Sequence, residues 1–126
     1  MQTERRQHFR LVPEEGYPIK IDINGDNFLE NMEAVDISEG GLGILVQNRF
    51  KDCRIDKTVT VVVTLPSPVN YQFAVQARIR HVYGDRFGIE FIDLKETASF
   101  KLKSYIAHRL RNQSWFVRLK YKLGIG

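Results

Sequence analysis

Apolar and polar residues alternate with a period of two along most of this chain, and near residue 95 the period lengthens to about 3.6. Tyr17–Ile23 puts Ile19, Ile21 and Ile23 on one face of a strand, and Asn24-Gly25 reads as a hairpin turn. A returning strand covers roughly Phe28 to Ile37. Gly40, Gly41 and Gly43 are expected to form a flexible corner before a third strand, Gly43–Gln47. After an irregular polar connection from about Asn48 to Lys57, Val59, Val61, Val63 and Leu65 alternate with threonines and one valine; Pro66-Ser67-Pro68 ends that strand because proline cannot continue a ladder. The next strand turns Phe73, Val75, Ala77 and Ile79 inward and Gln76, Arg78 and Arg80 outward, and its partner turns Phe87, Ile89 and Phe91 inward.

Parity constrains the turn between those last two strands, since a slip of one residue sends every apolar side chain to the wrong face. A two-residue Gly84-Asp85 turn with an unbroken ladder would set Ile79 against Glu90. A three-residue loop, Gly84-Asp85-Arg86, would pair Ile79 with Phe91 and Arg80 with Glu90, so the longer loop or a bulge is expected. Beyond Lys95, Ala98, Leu102, Tyr105, Ile106, Arg109 and Leu110 share one helical face, which predicts a helix over about Glu96–Arg111. In the remaining tail Trp115, Phe116, Leu119 and Leu123 fall on one side at helical spacing and basic residues on the other, which would suit a second short helix. Several short strands with turn chemistry between them, followed by one helix, indicate a mainly β fold, a small barrel or sandwich.

With 126 residues, 43% of them hydrophobic, the chain suffices for one core. Its start is polar, and no apolar run approaches the roughly 18 residues of a spanning helix, so a soluble, cytoplasmic protein is expected. The single cysteine, Cys53, excludes an internal disulfide and a thiolate metal cluster. The formal net charge is +4 and the pI about 9.3, which favours partners bearing phosphate. That charge is unevenly placed: acidic residues are frequent between Glu14 and Glu96 and absent from Thr97 onward, where Lys101, Lys103, Arg109, Arg111, Arg118, Lys120 and Lys122 accumulate.

Two short stretches carry recognisable chemistry. RRQHFR, Arg5–Arg10, offers planar guanidinium forks at Arg6 and Arg10 that match guanine edges and phosphate oxygens. DISEGG, Asp36–Gly41, offers a carboxylate able to accept from guanine N1 and N2, a hydroxyl at Ser38, and open backbone at Gly40 and Gly41. Together they describe a receptor for an anionic purine nucleotide. Other chemistry lacks support. His8, His81 and His108 are far apart without zinc-ligand spacing, Ser38 has no GxSxG setting, and Gly40-Gly41-x-Gly43 is not a dinucleotide fingerprint. Neither an enzyme nor a cofactor or metal site is expected.

The order R-x-x-x-R then D-x-S-x-x-G, at Arg6, Arg10, Asp36, Ser38 and Gly41, resembles the PilZ family of cyclic di-GMP receptors; Arg78–Phe91 is similar to that family's hairpin and closing strand. The resemblance implies a six-stranded antiparallel PilZ-type β-barrel with a C-terminal α-helix. It divides the chain into an N-terminal ligand-binding arm (1–14), the barrel (15–95), and an amphipathic helix with a basic tail (96–126). It further implies ligand contacts at Arg6, Arg10, Asp36, Ser38, Gly40 and Gly41, and members often carry a basic residue at the position of Arg5. The expected function is a bacterial, non-enzymatic receptor. Cyclic di-GMP would close a loosely held arm onto the barrel and alter a surface for a protein effector, through the helix and tail, or for a second copy of the chain. The competing reading is a small basic β-barrel that binds nucleic acid, favoured by the pI and by Arg78, Arg80 and Arg86; the motif pair argues against it.

Overall fold

The computed structural model describes residues 10–24, 28–45 and 54–112. Six strands are present: β1 (Lys20–Asn24), β2 (Phe28–Ile37), β3 (Gly41–Leu45), β4 (Thr58–Leu65), β5 (Tyr71–Tyr83) and β6 (Arg86–Ile92), followed by helix α1 (Glu96–Asn112). They close into an antiparallel barrel in the order β1-β2-β3-β6-β5-β4, with β4 pairing back onto β1. Closure leaves no unpaired edge.

The core follows the alternation in the sequence. Ile19, Ile21 and Ile23, the four inward residues of β4, Ala77 and Ile79 of β5, and Phe87 and Ile89 of β6 are all buried. Phe91 is only partly buried and packs edge-on against Phe73, their ring centroids 6.1 Å apart. Ala98, Leu102, Tyr105 and Ile106 of α1 join the same cluster. The helix runs from the start of β5, where Lys101 Nζ lies 5.5 Å from the centre of the Tyr71 ring, to the segment before β1, where Arg109 donates from Nε and Nη2 to the Val12 carbonyl at 3.2 and 2.9 Å. Glu96 in its first turn and Arg109 and Arg111 in its last suit the helix dipole.

Three expectations need correction. Gly41 and Gly43 do not form a flexible corner but lie within β3, paired with Glu90 and Gly88 of β6. At Gly41 the strands approach so closely that a Cβ would overlap the Ile89 carbonyl oxygen. Secondly, neither Ile79–Phe91 nor Arg80–Glu90 pairing forms. Gly84 adopts φ 61, which permits a two-residue Gly84-Asp85 turn with Tyr83 opposite Arg86. Parity is then restored by a bulge between Ile79 and His81, which brings Ile79 opposite Ile89. The bulge was the other solution open to the hairpin, and it acts in the opposite sense to a longer loop. Thirdly, the chain is fastened to the barrel well before residue 15: Leu11 is fully buried and exchanges both backbone hydrogen bonds with Ile37, at 2.9 and 2.8 Å. The Asn24-Gly25 turn and the second helix expected in the tail lie outside the described residues.

Candidate functional site

The Leu11–Ile37 bridge fixes the neighbours of both residues. Arg10 and Asp36 each precede a bridged residue, and the Arg10 Nη1 donates to Asp36 Oδ1 at 2.6 Å, with each side chain 28% exposed. Charge-assisted bonds of this length are about twice as strong as neutral ones. Asp36 owes its outward direction to a bulge. Ala34 and Ile37 both face the core, so one residue between them must be extra; the ladder to β3 shifts between Ala34 and Asp36. Asp36 then stands opposite Gly43, where a Cβ would come within 2.8 Å of its Oδ1. The carboxylate therefore lies over β3 in space that only glycine leaves.

Ser38 is buried, and its polar groups close the bend. Its backbone N–H donates to Gly41 O at 3.0 Å, and its Oγ accepts from the Gly40 N–H at 3.2 Å. The Gly40 carbonyl accepts from Phe91 N at 2.9 Å, tying the bend to the end of β6. Ser38, Gly40 and Gly41 thus set the shape of the turn that follows Asp36. Arg5 and Arg6 lie outside the described residues, so of the expected site the structure brings together Arg10, Asp36 and the Ser38–Gly41 bend.

Beside Asp36 an open cleft of about 720 Å³ separates the 12–18 segment from β2. Pro13, Glu14, Glu33, Val35, Asp36 and Arg86 line it. The sequence placed Arg86 in the hairpin loop and among the arginines favouring nucleic acid, and nothing there linked it to Asp36. On α1, the Tyr105 hydroxyl is buried without a well-aligned hydrogen bond, near the Glu14 backbone and the Arg109 guanidinium. Burial pushes its pKa above the usual tyrosine value, while the Arg109 charge pulls the other way. The Arg109–Val12 clasp joins residues 97 positions apart, and no local pattern announces it. Among the described residues no group of His, Cys, Asp and Glu is placed to hold a metal ion, and no helix is long and apolar enough to cross a membrane.

A closed six-stranded barrel with one covering helix, and a basic residue before the first strand salt-bridged to the carboxylate ahead of a Ser-x-x-Gly bend, define a PilZ-type domain. The PilZ domain family model matches residues 4–108, and the chain belongs to that family. Among solved structures it is similar to the PilZ domain with c-di-GMP of YcgR from Escherichia coli, at 17% identity and a TM-score of 0.66 over 96% of this chain and 98% of that one. The Bacillus subtilis inhibitor of motility, MotI/DgrA, gives 15% identity and a TM-score of 0.71 over 88% of this chain and 54% of that one. The K. pneumonia MrkH–c-di-GMP complex gives 14% and 0.70, over 95% and 54%. The present chain thus spans about half the length of MotI/DgrA and MrkH, and at these identities the likeness is one of fold. No curated protein matches the chain in sequence.

Proposed function

We propose that this protein is a non-enzymatic, cytoplasmic receptor for cyclic di-GMP, bound by Arg5, Arg6 and Arg10 together with Asp36 and the Ser38–Gly41 bend. The observation that carries the reading is the 2.6 Å contact between Arg10 and Asp36, because it joins the two halves of a motif that lie 26 residues apart. Arginine forks suit the phosphates and the acceptor edge of guanine, and Asp36 suits its N1 and N2 donors. Ser38 acts by holding the bend that presents the backbone of Gly40 and Gly41. The PilZ relatives YcgR and MrkH were solved with c-di-GMP.

Ligand draws residues 1–9 onto the barrel, and the movement reaches α1 through the Arg109–Val12 clasp, two residues beyond Arg10. The helix and the basic tail then offer an altered surface to an effector protein or to a second copy. A few charge-assisted bonds of roughly 1.5 to 3 kcal/mol each, less the cost of ordering the arm, correspond to micromolar affinity, about −8 kcal/mol. Calorimetric titration with cyclic di-GMP tests the site. Arg6→Ala and Arg10→Ala should each weaken binding at least tenfold with the barrel still folded; unchanged affinity in both variants would refute the assignment.

A further inference from the structure

Helix α1 presents two sides. Ala98, Leu102, Tyr105 and Ile106 pack into the core, so Phe100, Lys103, Ala107 and Arg111, three or four positions apart, point away from the barrel. All four are exposed, and Phe100, at 66%, is the most exposed large apolar side chain among the described residues. One surface phenylalanine is ordinary. Its setting is not, because every charged residue from Thr97 onward is basic and there are seven of them.

The sequence beyond the described residues carries the same chemistry further. At helical spacing Trp115, Phe116, Leu119 and Leu123 share one side, which Arg118 and Lys122 border on one flank and Lys120 on the other. Such a pattern suits the boundary of a bilayer, where rings and leucines enter the acyl layer while long basic side chains reach the headgroups. An acidic protein surface would satisfy the cations and leave the four apolar side chains uncovered. Three cations between positions 118 and 122 make a span too costly, so the segment would lie along the surface. Charge also fixes the approach. In residues 11–96 acidic side chains outnumber basic ones by 14 to nine, so an anionic surface repels the barrel body and draws in the helix side.

We propose that the outward face of α1, together with residues 113–126, is a docking surface for an anionic phospholipid bilayer. Phe100 and Trp115 enter the interface, and Lys103, Arg118, Lys120 and Lys122 face the headgroup phosphates. The lipid surface is a partner additional to those given under Proposed function, and its binding does not depend on cyclic di-GMP.

Trp115 is the only tryptophan, so its fluorescence reports on the tail directly. The full chain is mixed at physiological salt with vesicles of phosphatidylglycerol and phosphatidylcholine in equal parts, with vesicles of phosphatidylcholine alone, and with soluble polyglutamate. It should sediment with the anionic vesicles and shift its Trp115 emission to the blue, and do neither with phosphatidylcholine. Converting Arg118, Lys120 and Lys122 together to glutamine should lower partitioning at least about tenfold. Phe100→Ala should lower it about threefold, and because Phe100 is exposed the circular dichroism of this variant should match wild type. Failure to sediment with anionic vesicles, equal sedimentation with both kinds, or sedimentation without a Trp115 shift overturns the assignment. An equal blue shift with polyglutamate also overturns it and makes an acidic protein surface the occupant. Wild-type partitioning in Phe100→Ala overturns the role of the helix face.

Discussion

Tyr105 combines full burial with a hydroxyl that meets no well-aligned partner. An unsatisfied buried donor costs about 1 to 3 kcal/mol, so replacing it by a group of the same shape should cost nothing. Tyr105→Phe is expected to leave stability unchanged or raise it by up to about 1 kcal/mol in urea denaturation near neutral pH. The phenol also makes stability depend on pH. Burial, opposed by Arg109, holds the folded-state pKa above the tyrosine value of 10.0. Below that value the group is protonated in both states; above it the unfolded chain releases its proton first, and stability falls as pH rises. Melts at about pH 8 and pH 11 should therefore diverge less in Tyr105→Phe than in wild type. An equal decline in both proteins would show that the hydroxyl finds a partner in solution.

At the level of elements, the residues that alternate without interruption were legible in the sequence and the interruptions were not. β4 and α1 fall where the two periods place them, because Val59–Leu65 and Ala98–Ile106 each keep an unbroken apolar face; β2 falls where expected although its pairing shifts against both β1 and β3. The bulges at Val35 and Arg80 escape a sequence reading, since an inserted residue looks like any outward-facing one until its partner strand is known. Parity exposed the problem in the β5–β6 hairpin but allowed two remedies, and only the left-handed Gly84 decides between them. For the site, Arg10 and Asp36 were legible as chemistry, whereas the glycine under Asp36 depends on a cross-strand pairing with β3. The bulge yields a prediction. Arg80 is half exposed and meets Asp56 and Glu90 at 3.6 Å, contacts of the kind that contribute less than about 1 kcal/mol. Deleting Arg80 leaves Ile79–Ile89 and His81–Gly88 as successive pairs of an unbroken ladder, so the barrel should still unfold cooperatively. Deleting Ala77 instead puts Phe73 and Val75, or Arg78 and Arg80, on the wrong face and should abolish the cooperative transition. Equal damage from the two deletions, measured by far-ultraviolet circular dichroism in urea, would mean that the bulge is itself required for folding.

Across the whole molecule, the positive net charge misleads about the barrel. Residues 11–96 hold 14 acidic and nine basic residues, while 97–126 hold seven basic and none acidic, so the barrel body is net negative and the +4 arises at the chain ends. A barrel that gripped nucleic acid would need the opposite distribution, because phosphate neutralisation by Lys and Arg supplies nearly all non-specific affinity. Any binding of polyanions should therefore belong to the chain ends, and most of it to the C-terminal segment, which carries the larger share of the charge. Removing residues 113–126 takes away Arg118, Lys120 and Lys122 but leaves the core contributions of α1, which end with Ile106 and Leu110. The shortened protein is expected to melt like the full chain, to bind cyclic di-GMP with the same affinity, and to elute from heparin at lower salt, having lost three of the seven basic residues of 97–126. The slope of oligonucleotide affinity against salt should shrink by about 0.9 per lost phosphate contact on duplex DNA. Oligonucleotide binding that kept its affinity and its salt slope after truncation would place the polyanion surface outside the tail, and would revive the nucleic-acid reading that the paired arginine and aspartate motifs displaced.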